Sequence, residues 1–134
     1  MVDQMTHTTR ELVSNISGCV LGYTQSDEIS LLLTDFKSIQ TQPWLAGSLQ
    51  KIVSISASMA TGYFNSGPHD FGKVAFFDSR AYTIPDPVEV ANAFIWRQKD
   101  CTRNSVSMAA QSVFSHRELQ GKSTTEMITM LDEA

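Results

Sequence analysis

Apolar side chains recur at helical spacing near the start of the chain. Met5, Leu12 and Ile16 fall on one face when residues 3–16 are wound into a helix, and polar residues fill the opposite face. We therefore predict an amphipathic helix here. Gly18 follows it directly, and we expect it to be the C-terminal cap, where glycine is favoured.

Two strand-like runs follow this helix. Residues 19–25 and 29–33 are rich in β-branched, aromatic and leucine side chains, and the polar residues 26–28 separate them. The pattern predicts an antiparallel hairpin. Because residues 31–33 are three leucines in succession, we expect the second strand to be covered on both faces and central in its sheet.

A longer apolar pattern without a breaker covers residues 48–64 and predicts a second helix, whose apolar face carries Ile52, Ile55, Met59 and Tyr63. The turn-rich stretch NSGPHDFGK, residues 65–73, should end it. The segment VAFFDSRAYTI, residues 74–84, alternates apolar and polar residues and is predicted to be a third strand.

Capping signals divide the last fifty residues into helices. Asp86 before Pro87 predicts a helix start, because an N-cap carboxylate followed by proline is typical of helix N-termini. We expect this helix to end near Lys99. Three more starts are predicted: one near Thr102, and two where serine precedes glutamate by three residues, at Ser115 and Ser123.

The order of elements predicts an α+β fold, with an antiparallel sheet and helices packed on one face. A ferredoxin-like palm, as in polymerases and cyclases, has the order βαββαβ. The chain matches that order if the first strand is missing. We expect a single partial palm-type catalytic domain over residues 1–134, with residues 1–85 as palm core and residues 86–134 as a helical part.

Composition narrows the class of protein. The chain has 134 residues, of which 42% are apolar and 18% charged, and its net charge is −4. Such a chain is no general polyanion binder, so contact with a nucleic acid would need a local basic patch. The two cysteines are far apart and suggest reduced thiols. With no secretory leader and no apolar run long enough for a membrane span, we expect a cytoplasmic protein with no membrane partner.

The turn of the hairpin carries the most distinctive chemistry. Asp27 and Glu28 are adjacent, although two like charges repel unless a cation lies beside them. Mg²⁺ prefers oxygen ligands and is commonly held by one or two carboxylates plus phosphates and water. Two such ions about 4 Å apart can serve a phosphoryl or nucleotidyl transfer. From three residues alone, a solvated polar turn is the better explanation.

Five stretches of the sequence together resemble one family. They are YTQSDEISLLL, QKIVSISASMA, FFDSR, WRQKDCTRNS and SHRELQGKS, in this order. They resemble the tRNA-histidine guanylyltransferases and their relatives, the 3′-to-5′ polymerases. The resemblance implies a nucleotidyltransferase that activates the 5′ end of tRNA with ATP or GTP and then adds a nucleotide, typically G. It also implies two Mg²⁺ ions and a homo-oligomer, a tetramer in the family.

The same resemblance assigns residue roles. It makes Asp27 and Glu28 the metal ligands and catalytic residues, and it assigns contacts with the nucleotide to Ser26, Lys51 and Asn104. The densest basic cluster would face tRNA; its members are Arg97, Lys99 and Arg103. Simpler structural explanations remain open. Lys51 and the basic cluster could be ordinary charges on solvent-exposed helix faces, and Arg97 could form an ion pair with Asp100 or Glu89.

Two departures from the family pattern stand out. The motif DGxxFHxF, which in the family lies on a first strand and supplies a metal-binding Asp, does not precede the hairpin. We expect an N-terminally incomplete copy, with the neighbouring sheet edge exposed. Residues 102–105 replace the family's His-Ile-Asn-Asn, which points to bacterial, archaeal and phage relatives that repair tRNA 5′ ends. The alternative function is a non-catalytic fragment that only binds nucleotide or self-associates.

Overall fold

The computed structural model describes all residues of the chain, Met1–Ala134, and divides them into two compact units, Met1–Thr83 and Ile84–Ala134. The N-terminal unit contains α1 (Val2–Asn15), β1 (Cys19–Gln25), β2 (Glu28–Leu33), a 3₁₀ turn (Trp44–Gly47) and α2 (Leu49–Asn65). The C-terminal unit contains α3 (Pro87–Val113), α4 (His116–Leu119) and α5 (Thr124–Glu133). The predicted α+β class is confirmed.

The core of the N-terminal unit lies between its two long helices and the hairpin. Leu12, Ile16 and Ala60 are buried against one another. Side chains from the hairpin and from the segment after α2 close over this cluster; they include Ile29, Leu31, Leu33 and Phe77. Burial of these apolar groups is the main force that holds the hairpin on the helices.

The first helix ends differently from the expectation. Its C-cap is Ile16, in an extended conformation, and Gly18 instead leads into β1 with φ of +81°. A Cβ at Gly18 would lie 2.7 Å from the carbonyl oxygen of Thr34, whose N–H donates to the Gly18 carbonyl. Gly18 is therefore required at the open end of the hairpin, where the strands begin and end, and not by the helix.

The second helix also differs in detail. It continues through Gly62 to Asn65, and its buried side chains are Ala60 and Phe64. Ile55, predicted to lie on the apolar face, is exposed. Met59 and Tyr63, on the same predicted face, do pack against the core beside Ala60.

The predicted third strand over residues 74–84 is not formed. The sheet has only two strands, β1 and β2, and residues 74–83 are extended without a ladder. Polar side chains of α2 bond this segment in place of a neighbouring strand: the Asn65 amide binds the backbone of Ala75, and the Phe77 N–H donates to Thr61 Oγ1 at 3.1 Å. An alternating pattern predicts an extended chain, but a strand also requires a partner.

The C-terminal unit is helical. Asp86 caps α3 by accepting a hydrogen bond from the Val88 N–H at 2.9 Å, and capping boxes open α4 and α5, as predicted. The predicted break near residue 100 is wrong, because α3 runs unbroken from Pro87 to Val113. No residue there stops a helix, and the Thr102 hydroxyl donates to the Gln98 carbonyl at 3.1 Å within it.

As for the membrane, none of the helices is both long enough and apolar enough to cross a bilayer.

Candidate functional site

The turn of the hairpin is a two-residue loop. Gln25 and Glu28 pair across the ladder, so that Ser26 and Asp27 are the two loop residues. Ser26 has φ of +50°, the left-handed region that two-residue hairpin loops require and that a side chain rarely adopts. The ladder behind the loop therefore holds its backbone in one conformation, at some cost in local strain.

This loop places the two acidic residues in different surroundings. Asp27 is exposed at the tip, whereas Glu28 is the first residue of β2 and half-buried. The Glu28 carbonyl accepts a hydrogen bond from Thr24 Oγ1 at 3.3 Å, which fixes the backbone just behind the tip. The two carboxylates thus follow one another on a fixed backbone, with Asp27 accessible to a ligand from solvent.

Gln25 stands opposite Glu28 in the ladder of the hairpin. Gln25 Oε1 is buried and has no hydrogen-bond partner, although a buried amide oxygen without a partner costs free energy. Sequence reasoning missed Gln25, because a sequence does not show whether the side-chain amide of a glutamine in a strand has hydrogen-bond partners. The orphaned oxygen is of the type that hard cations bind.

The donor set limits which metal chemistry would fit here. Nowhere in the chain do three or more His, Cys, Asp or Glu side chains come together in a way that could hold a metal ion. The predicted ligands, Asp27 and Glu28, offer two carboxylates. Two carboxylates suit Mg²⁺ that arrives bound to a nucleotide, since phosphates and water then complete its coordination. They would not form a complete protein cage for a free ion.

The predicted nucleotide-binding residues lie on different elements. Ser26 is in the hairpin loop, Lys51 is exposed in the first turn of α2, and Asn104 is exposed on α3. Because α2 begins near Lys51, the helix dipole there is positive and adds to the charge of its ammonium group. The roles of these three residues remain predictions.

The basic cluster lies on the C-terminal unit and is partly neutralised. The Asp100 carboxylate bonds Arg103 at 2.5 Å and lies 3.9 Å from Arg97, all on α3. The pairing of Arg97 with Asp100, one of the open alternatives, is therefore present. Lys99 is exposed beside them. Arg103 is exposed, and since such ion pairs hold their partners only weakly, it remains able to exchange Asp100 for a phosphate.

The extended segment after α2 has polar side chains on its outward face. Asp78 and Arg80 are both exposed, and no ion pair joins them. They therefore do not form a buried ion pair. The two side chains share the outward face because they lie two residues apart on an extended backbone.

Comparisons with known proteins agree on one family. The family model described as Thg1, tRNAHis guanylyltransferase, matches residues 1–85. A bacterial tRNA(His) guanylyltransferase (Thg1)-like protein in complex with ATP is 46% identical over 96% of this chain, with a TM-score of 0.88, and this chain covers 57% of it. Another such structure, in complex with GTP, is 44% identical over 87% of this chain, with a TM-score of 0.77 and 56% coverage.

A curated relative is more distant. An uncharacterized protein of Acanthamoeba polyphaga mimivirus is 30% identical over 96% of this chain, which covers 53% of the viral protein. The chain thus spans about half the length of the relatives that it matches. These matches confirm the family resemblance and show that the chain has the palm-type α+β fold of the Thg1-like proteins.

Proposed function

We propose that this chain, which belongs to the tRNAHis guanylyltransferase (Thg1) family, works as a Mg²⁺-dependent nucleotidyltransferase on tRNA. In this proposal ATP or GTP activates the 5′ end of a tRNA. A nucleotide, typically G, is then joined to that end in the 3′-to-5′ direction. The observation that carries the proposal is the exposed Asp27 on a two-residue loop, in a chain similar to proteins that bind ATP and GTP.

Nucleotide binding has the most direct support. Two similar structures hold ATP and GTP respectively, at 46% and 44% identity. In this chain Asp27 and Glu28 would hold the cation that accompanies the triphosphate, and Lys51 would bind its phosphate oxygens. Ser26 and Asn104 would make polar contacts with the nucleotide. Mg²⁺, when bound, would neutralise phosphate charge and orient the reacting oxygens, in two-metal chemistry that needs two such ions.

Binding of tRNA would rest on the C-terminal unit. The net charge of −4 excludes attraction by the whole surface, so the cluster of Arg97, Lys99 and Arg103 is the best local candidate. Replacing Lys99 by glutamine should then reduce the salt dependence of tRNA binding by about one counterion. Homo-oligomerisation into a tetramer and a cytoplasmic location are further parts of this proposal.

The decisive experiment measures binding of ATP and GTP by calorimetry, with and without Mg²⁺. Asp27→Asn keeps the size of the side chain but removes its charge, and we expect a loss of about tenfold or more in Mg²⁺-dependent affinity. Asp35→Asn is the matched control, because Asp35 is also exposed and lies just after β2. Equal nucleotide affinity of Asp27→Asn and the unmodified chain would refute the proposed role of the hairpin.

A second function is favoured by one observation. Nowhere in the chain do three or more His, Cys, Asp or Glu side chains form a group that could hold a metal ion. This suits a protein that binds a nucleotide, or self-associates, without transferring it. Incubation of residues 1–134 with radiolabelled GTP and a tRNA that lacks its first nucleotide distinguishes the two. Labelled tRNA means transferase activity, while nucleotide binding without labelling supports the non-catalytic function.

A further inference from the structure

A tryptophan in the first half of α3 lies open to solvent. Trp96 is 76% exposed, although tryptophan is on average one of the more buried residue types. No other aromatic ring stacks on it, since the ring pairs of the chain join Phe64, Phe71, Phe77 and His69. The indole ring of Trp96 is therefore accessible to a ligand at the surface of the C-terminal unit.

Polar and basic side chains share the face of α3 that carries this ring. Because each residue turns an α-helix by about 100°, Asn92, Lys99 and Arg103 fall within about 60° of Trp96. All three are exposed. Along the helix axis, Lys99 lies about 4.5 Å and Arg103 about 10.5 Å beyond Trp96. The ring is thus the start of a stripe that continues with two positive charges.

Two carboxylates border this stripe and give it a direction. Asp100 bonds Arg103 at 2.5 Å, and 33% of its side chain is exposed. Glu89 is exposed and lies about two turns before Trp96, on the opposite side of the ring from Lys99 and Arg103. A polyanion that touches the ring is therefore repelled at its N-terminal side and attracted at its C-terminal side, toward the two cations.

We propose that Trp96 is a stacking platform for an unpaired base of RNA, and that Lys99 and Arg103 bind the phosphates next to that base. Proteins hold single strands by stacking bases on aromatic side chains beside cations that bind the backbone. Bases within a duplex are already stacked on one another, so aromatic side chains bind unpaired ones. The inference rests on the proposed function, in which the substrate is tRNA, and it names the unpaired part of that RNA as the ligand of α3.

The surroundings of the ring favour an RNA strand over a protein or a free nucleotide. A protein partner needs a continuous apolar patch, whereas the neighbours of Trp96 along the stripe are an amide and two cations. An open helix face touches only one side of its ligand. A single nucleotide would therefore gain few contacts with its phosphates, while a strand extends them along the stripe from Lys99 to Arg103.

The experiment measures binding of residues 1–134 to a labelled single-stranded RNA of about eight nucleotides, by fluorescence anisotropy and by quenching of tryptophan emission. The other tryptophan, Trp44, is half-buried against the core and supplies a constant background. We expect Trp96→Ala to lose about tenfold in affinity and Trp96→Phe to keep most of it. Met108→Ala is the matched control, because Met108 is 70% exposed on the same helix but about 120° away from Trp96.

An abasic form of the same RNA separates stacking from charge. It keeps the phosphates and lacks the bases, so it should bind the unmodified chain about tenfold more weakly, whereas Trp96→Ala should bind both forms equally. The proposal is overturned if Trp96→Ala binds the complete RNA as tightly as the unmodified chain, or weakens both forms equally. It is also overturned if the annealed duplex or GTP quenches Trp96 with equal affinity. None of these measurements needs Mg²⁺, so their failure leaves the test of Asp27→Asn unaffected.

Discussion

The side-chain amide of Asn65 binds both backbone groups of Ala75. Asn65 Nδ2 donates to the Ala75 carbonyl at 2.7 Å, and the Ala75 N–H donates to Asn65 Oδ1 at 2.9 Å. A primary amide presents one donor and one acceptor side by side, as a neighbouring strand does. The last residue of α2 therefore replaces a strand partner and fixes the start of the extended segment.

Loss of this pair of bonds should release the segment. Asn65→Ala removes both bonds, and we expect a loss of about 1–3 kcal/mol in the free energy of unfolding, measured with denaturant. Amide exchange at Ala75 and Phe77 should also become faster. Asn15→Ala is the control, because the Asn15 amide bonds only to Glu11, one turn earlier in its own exposed helix end. Equal destabilisation by the two substitutions would contradict this role of Asn65.

Two glycines should respond to alanine in opposite directions. A Cβ at Gly22 in β1 would lie 2.5 Å from Val13 Cγ2 and 3.0 Å from Thr9 Cγ2, so α1 would have to move. We expect Gly22→Ala to cost about 1–3 kcal/mol through overpacking. A Cβ at Gly62 in α2 meets nothing within 4 Å, and Gly62→Ala should add about 0.5–1 kcal/mol. Thermal unfolding of both variants tests the close approach of β1 to α1, and similar shifts of Tm would disprove it.

The strained loop residue allows stability and function to be separated. Ser26→Gly relieves the positive φ and should stabilise the protein by about 0.5–1 kcal/mol, whereas Ser26→Ala keeps the strain and should not. Both variants lack the hydroxyl. If Ser26 contacts the nucleotide, both should weaken GTP binding to the same extent. Weaker binding by Ser26→Gly alone would assign the effect to the loop conformation instead.

The capping boxes predict how stability depends on pH. The Ser115 hydroxyl and backbone N–H bond Glu118, and the backbone N–H and hydroxyl of Ser123 bond Glu126; these bonds lower the pKa of both carboxyl groups from the ordinary 4.5. A lowered folded-state pKa means that the stabilisation is complete above about pH 4.5. It is lost as the pH falls through the folded-state pKa.

The test compares Tm at pH 6 and at pH 3. The double substitution Glu118→Gln, Glu126→Gln keeps an acceptor in each box but removes the titration, so its Tm should fall less than that of the unmodified protein over this interval. Glu133→Gln, at the last position of α5, serves as the control for general loss of charge. An unchanged fall in Tm for the double variant would show that the caps do not contribute to acid sensitivity.

Local signals in the sequence were sufficient for much of the fold. The hairpin boundaries, the N-cap at Asp86 and the serine caps at Ser115 and Ser123 agree with the structure, because each depends on residues within one turn or one loop. The motifs around Ser26, Asp27 and Glu28 likewise identified the family, since these short motifs keep the same order along the chain.

The tertiary structure was needed to identify hydrogen-bond partners that are distant along the chain. Periodicity predicted a strand at residues 74–84, but only the fold shows that no strand lies beside it and that Asn65, ten residues away from Ala75, bonds it instead. The same holds for the buried Gln4, which accepts a hydrogen bond from the N–H of His69. The sequence by itself determined most of the helix starts, the hairpin and the family, through short-range propensity and motif order. Only the tertiary structure decided which edges of the sheet are free, because hydrogen-bond partners across the chain are set by packing.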